Sequence, residues 1–172
     1  MPVDVLALDA FVEAMASAQA RILIMDPKFN TSNVDVLESA VALTDAPEIR
    51  VLTERHGGVE RDLIASVVSD LTGLANRRSP RPVAEIRVQW LPVLDKDEFP
   101  YIHDRFAIVD EELWHFGATV GGAHPGLNAA SRGWNAHDTR AIAFFDELWD
   151  IMSGHRARHG HTSGSAGRSG RK

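Results

Sequence analysis

The spacing of hydrophobic positions changes several times along the chain, and each change marks an element. Leu8, Phe11, Val12 and Met15 recur at i, i+3, i+4 and i+7 in Ala-rich surroundings, which predicts a first helix. Arg21–Met25 is a short apolar run closed by Asp26-Pro27, the pattern of a buried strand and its exit. Thr31-Ser32-Asn33 offer N-cap chemistry for a helix carrying Val34, Leu37 and Val41 on one side. A second strand covers Glu48 to Thr53, and His56-Gly57-Gly58 is a turn. From about Val59 a longer helix places Leu63, Ile64, Val67, Val68 and Leu71 on one face and fades at Gly73. After a polar loop from Asn76 to Pro82, Ile86, Val88 and Trp90 alternate with Glu85, Arg87 and Gln89, the signature of a half-buried strand.

Leu91 to Pro100 links that strand to the most strand-like stretch of all, Tyr101 to Asp110, where β-branched, aromatic and aliphatic residues dominate. Regular alternation sets Tyr101, His103, Arg105, Ala107 and Val109 on one face and Ile102, Phe106 and Ile108 on the other. An Asp-Glu-Glu turn leads into a strand from Leu113 to Phe116 that ends at Gly117. Val120 to His137 has no clear period and reads as a loop; Thr139 to Phe145 is predicted as a last strand and Asp146 to Met152 as a short terminal helix. Strand–helix alternation argues for an α/β fold, with a mostly parallel or mixed sheet and helices on both faces. One domain is expected over residues 1–153. Residues 154–172, rich in Gly, Ser, Arg and His, are expected to form a disordered basic tail.

Composition narrows the chemistry. The chain has no cysteine, so disulfides, thiolate metal sites and thiol nucleophiles are excluded. Walker loops, dinucleotide Gly patterns and Ser-centred elbows are absent, and neither a metal nor a cofactor is predicted. Met1 to Ala20 lacks a basic start and an unbroken apolar core, and no apolar run could span a bilayer, so a cytoplasmic protein without membrane contact is expected. Five of the 18 basic residues lie beyond His155, leaving 13 against 24 acidic residues upstream. So acidic a body argues against broad, non-specific nucleic-acid binding, while a local basic groove stays open.

The candidate chemistry sits in the Tyr101–Asp110 stretch. On a regular strand His103 and Arg105 stand side by side, and an imidazole beside a fixed cation suits a phosphate. Four residues separate Arg105 from Asp110, and six separate Asp110 from Gly117. With these spacings the stretch resembles the phospholipase D superfamily, in a divergent, single-copy bacterial form. The sequence departs from the family pattern in that Arg105 stands for Lys, Ala118 stands for Ser with Thr119 directly after it, and the family's Asn has no counterpart at its place.

The resemblance implies a phospholipase D-like fold and a metal-independent phosphodiesterase, most readily a nuclease. One histidine attacks phosphorus to form a phosphohistidine, and a second protonates the leaving oxygen. His103 is then nucleophile or acid, Arg105 holds the non-bridging oxygens, and Asp110 orients an imidazole or braces the motif loop. Gly117, Thr119 and Lys28 are candidate substrate-binding positions, and Asp26 either caps Thr31–Asn33 or belongs to the site. One motif per chain, in chemistry that uses two histidines, implies a two-fold homodimer joining the two copies of His103, with Trp134 or the Gly121–Asn128 loop at the contact. The alternative is an inactive phospholipase D-like binding or assembly module of a bacterial defence or mobile-element system, with a protein partner left open. His56, His115, His124 and His137 read as turn, strand-surface and loop residues, and the four tryptophans as core or interface. His155, His159 and His161 have metal-ligand spacing, but in a Gly/Ser tail they make only adventitious ligands.

Overall fold

The computed structural model describes residues 3–54, 60–77, 85–94, 102–121 and 129–159. Its elements follow the chain as α1 (Val3–Ser17), β1 (Ile22–Met25), a 3-10 turn (Thr31–Asn33), α2 (Val34–Val41), β2 (Glu48–Glu54), α3 (Glu60–Ala75), β3 (Arg87–Leu94), β4 (Arg105–Val109), β5 (Glu112–Phe116), β6 (Ala130–Asn135) and α4 (Ala141–His159). The strands form one mixed sheet in the order β3-β2-β1-β4-β5-β6. The β1–β2 and β2–β3 pairs are parallel; β4, β5 and β6 add on antiparallel. An α/β fold with a mixed sheet and helices on both faces is therefore present among the described residues.

Each face of the sheet carries its own core, and strand alternation sorts the residues between them. Ile22, Ile24, Ala107 and Val109 point to the face covered by α1, α2 and α3, where Phe11, Leu37 and Ile64 meet them. Leu23, Met25, Phe106 and Ile108 point to the opposite face, where α4 supplies Ile142, Phe145, Trp149 and Met152. Three helices thus share one face, and among the described residues a single helix covers the other. The Ile86–Trp90 alternation holds residue by residue: Ile86, Val88 and Trp90 are buried while Glu85, Arg87 and Gln89 are exposed.

Several expectations need correction. The motif strand is regular only from Arg105 to Val109, so the alternation reading does not extend to His103. β3 runs on to Leu94, into the expected link, and α3 passes Gly73 to end at Ala75. Thr31–Asn33 form a 3-10 turn; Asn33 occupies the N-cap position of α2, but its Oδ1 accepts from the Asn30 amide and no side chain caps the helix. The stretch expected as loop contains β6, an edge strand whose residues are largely solvent-facing and so show no apolar alternation. Gly133, at φ +103, absorbs a register shift there, a bulge position suited to glycine.

The expected strand Thr139–Phe145 is instead a turn followed by the start of α4. Buried Ile142, Phe145, Trp149 and Met152 lie three or four residues apart, a helical period that outweighs the short β-like run. The helix continues to His159, six residues into the expected tail. The His56–Gly58 turn, Tyr101, His124, the remainder of the Asn76–Pro82 and Leu91–Pro100 stretches and the tail beyond His159 lie outside the described residues.

Candidate functional site

The carboxyl edge of the parallel strands is where open α/β sheets bind ligands, and four of the predicted positions gather there. β1 ends into Asp26, Pro27 and Lys28. β4 runs antiparallel to β1, so its first residue, Arg105, lies at the same edge, and Gly117 and Thr119 follow the end of β5 beside it. Asp26 organises this edge. It has no solvent exposure, its Oδ1 accepts from the Lys28 amide at 2.8 Å, and its Oδ2 accepts from the Val120 amide at 2.8 Å. The Thr31–Asn33 turn draws no cap from it.

Arg105 Nε stands 3.4 Å from Asp26 Oδ1, an ion pair whose Nε–H is not aligned as a hydrogen bond. Its Nη1 donates to the Gly117 carbonyl at 3.4 Å, and its side chain is 23% exposed. Burial pushes the Asp26 carboxyl above its ordinary range, opposed by the two amide donors and by the cations of Arg105 and Lys28. Thr119 is buried, and Lys28 is exposed. The Gly117 amide donates to the Ala129 carbonyl at 2.9 Å, tying this loop to the approach of β6.

His103 lies outside the regular strand that carries Arg105. It precedes the regular part of β4 and is exposed, and it lines a cavity on the α4 face together with Phe106 and His115. Arg105, like Ala107 and Val109, belongs to the other face and is not among the residues that line this cavity. His115, read from sequence as partly buried or at the surface, pairs directly across from Phe106, and it lines the same cavity as His103. The signal was available: two imidazoles flank a hairpin whose register follows from the Asp110 turn.

Asp110 is at the other end of β4, five residues or about 16 Å from Arg105. Its carboxylate accepts from three successive amides, those of Gln19 and Arg21 at 3.1 Å and of Ala20 at 2.6 Å. With φ at 56°, Asp110 turns the hairpin in the left-handed region and clamps the α1–β1 connection. It braces the hairpin and stands away from both histidines.

Sequence reasoning left Asp26 undecided and missed Arg140, Phe144 and Glu147, which join His103 and His115 around the cavity. Of the tryptophans, Trp90, Trp114 and Trp149 are buried, and Trp134 on β6 is 49% exposed. His137 lies 3.8 Å from Glu111 on the surface. Among the described residues no group of three or more His, Asp or Glu side chains is arranged to hold a metal ion, and no helix is long and apolar enough to cross a membrane.

No family model matches the chain, and no curated protein sequence matches it. Among solved structures it is similar to TrmBL2, an archaeal chromatin protein whose structure is described as showing a mode of DNA binding, at 17% identity and a TM-score of 0.48. The likeness covers 84% of this chain and 49% of that one, so the chain spans about half the length of TrmBL2.

Proposed function

We propose that this chain is a phospholipase D-like binding or assembly module that does not turn over phosphodiesters. One observation carries the reading: the cation assigned to the non-bridging oxygens, Arg105, is engaged by the buried carboxylate of Asp26 and is not among the residues that line the cavity at His103. A phosphoryl group held at His103 would lack that charge beside it, and losing one preorganised charge stabiliser costs on the order of 10²–10³ in rate. The phospholipase D-like assignment itself rests on the spacing of His103, Arg105, Asp110 and Gly117 and is compatible with the mixed sheet. The module is proposed to work in the cytoplasm as a two-fold homodimer, with exposed Trp134 at the contact; sedimentation as a monomer at high micromolar concentration would remove that part.

A second reading has one observation in its favour. His103 and His115 line the same cavity, so one chain brings two imidazoles to one site without a second copy. In a phosphodiesterase built this way, His103 would bond to phosphorus as the bond to the leaving oxygen breaks, and His115 would give that oxygen its proton. Incubating the protein in EDTA with labelled DNA, labelled RNA and a chromogenic phosphodiester, beside His103→Ala and Arg105→Lys, separates the two. The module reading expects no hydrolysis above that of His103→Ala. Turnover that His103→Ala abolishes would establish the catalytic reading instead, and a parallel loss in His115→Ala would assign the acid.

A further inference from the structure

The cavity between the β4–β5 face and α4 has a volume of about 510 Å³, within the usual size of small-molecule sites. Its floor is apolar: Met25, Ile102 and Phe106 are buried beneath it. On the α4 side the wall includes Phe144, 41% exposed, with its ring centroid 6.5 Å from that of Phe106 and the planes tilted by 46°. An aromatic ring left this open on a cavity wall offers a stacking surface.

The polar lining is mixed. His103, His115 and Arg140 bring N–H donors, and Asp104 and Glu147 bring carboxylate acceptors; all five residues are exposed. Arg140 holds φ at 60°, a left-handed conformation that is uncommon outside glycine and concentrates at functional positions. A purely aliphatic ligand would use none of these groups, and a polyanion would face two carboxylates for one permanent cation. A flat heteroaromatic ring with both donors and acceptors on its edge, carrying one anionic arm, matches the set. Its amino hydrogens meet Asp104 or Glu147, its ring acceptors meet imidazole N–H groups, its face stacks on Phe144, and the arm reaches Arg140.

We infer that this cavity binds a nucleobase bearing one phosphate, either a free nucleoside monophosphate or the phosphorylated end of a single strand. The inference rests on the binding-module reading and names its ligand class. The test is calorimetric titration of the intact chain with the monophosphates of adenosine, guanosine, cytidine and uridine, with ribose 5-phosphate and the free nucleosides as controls. At least one monophosphate is expected to bind, with ribose 5-phosphate failing to do so. Phe144→Ala, a change at an exposed position, should weaken binding roughly tenfold, the scale of one lost stacking contact. Arg140→Asn, which keeps a residue tolerant of positive φ, should weaken the monophosphate and leave the nucleoside unchanged.

A short 5′-phosphorylated oligonucleotide binding tighter than the monophosphate assigns the strand end, and equal or weaker binding assigns the free nucleotide. No binding by any of the four, equal binding of ribose 5-phosphate, or wild-type affinity in Phe144→Ala overturns the inference. A monophosphate contains no diester, so this readout is independent of turnover. Hydrolysis in the phosphodiester assay would overturn the module reading, whereas a failed titration without hydrolysis would overturn the ligand class alone, so the two failures are distinguishable.

Discussion

Asp26 and Val120, 94 residues apart in sequence, meet at 2.8 Å where the backbone amide of Val120 donates to Asp26 Oδ2. With the Lys28 amide on Oδ1 and Arg105 at 3.4 Å, both oxygens of a fully buried carboxylate are occupied by donors. An amide in its place can offer one accepting oxygen only. Asp26→Asn is therefore expected to leave one buried N–H unmatched and Arg105 unpaired, lowering stability by about 1–3 kcal/mol at neutral pH. Urea unfolding of the two proteins checks it; equal midpoints and slopes would show that the carboxylate does not hold this edge.

The same residue gives a pH dependence whose sign is fixed. The Asp26 carboxyl is raised from 3.8, chiefly by burial, so the folded chain holds that proton more tightly than the unfolded chain does. The stability it contributes is fully present below the unfolded value and is lost as pH rises through the native one. The stability difference between wild type and Asp26→Asn should accordingly narrow as pH climbs from that region toward neutral. Unfolding curves for both proteins across that interval measure it, and a gap that widens with pH would reverse the assignment of burial as the dominant cause.

Local pattern made β1, β2 and β3 legible, because each buries one period of apolar residues against a neighbour close in sequence; in α3 Ile64 and Leu71 are buried as expected, but Leu63, expected on the same face, is 51% exposed. Ile86, Val88 and Trp90 needed no tertiary information. β6 was not legible: an edge strand with Ser131, Arg132 and Asn135 facing solvent owes its conformation to hydrogen bonds with β5, and its own side chains carry no alternation. The beginning of α4 was misread because a β-like run, Ile142 to Phe145, was weighed without Trp149 and Met152 further on. At the site, the motif spacing brought Arg105, Gly117 and Thr119 to one sheet edge, and the position of Lys28 just past β1 put it at the same edge. Which face each side chain takes depended on where β4 begins, and a strand end is set by pairing with β1. Alternation therefore does not place His103 relative to Arg105, and the Asp26–Arg105 pair could not be read from residues 79 positions apart.

Arg50 of β2 fastens α4 to the sheet. Its guanidinium carbon is 5.4 Å from the ring centroids of both Phe145 and Trp149, and its Nη2 is 2.8 Å from Asp146 Oδ1. Asp146 is 43% exposed, so water weakens the ion pair, whereas the stacked contacts are sheltered. Arg50→Ala should cost about 2 kcal/mol through the lost cation–π contacts and packing. Asp146→Ala should cost under about 1 kcal/mol. Thermal unfolding of both variants ranks the two contributions; a larger loss for Asp146→Ala would make the ion pair the fastening element.

Gly121 closes the turn that brings Val120 to Asp26, and two independent features require glycine there. Its φ is +81°, and a Cβ at this position would come within 2.7 Å of Val36 Cγ2 and 2.8 Å of Cγ1 on α2. The backbone term alone is about 1–2 kcal/mol for a side-chain-bearing residue in the left-handed region, and the clash adds to it because Val36 is β-branched and confined in its rotamer. Gly121→Ala should destabilise the chain by about 2 kcal/mol or more. The double variant with Val36→Ala removes the two Cγ contacts, leaves the residue-36 Cβ at 3.1 Å and keeps the backbone term, so its stability should fall below that of Val36→Ala alone by a smaller step than Gly121→Ala shows in the wild-type background. Denaturant unfolding of the four proteins forms a double-mutant cycle that reads the clash as the coupling. Zero coupling would mean that the loop shifts away from α2 and that backbone strain alone accounts for the loss. Because Val36 lies on the face opposite the α4 cavity, nucleotide binding by the folded fraction should be unchanged throughout the cycle.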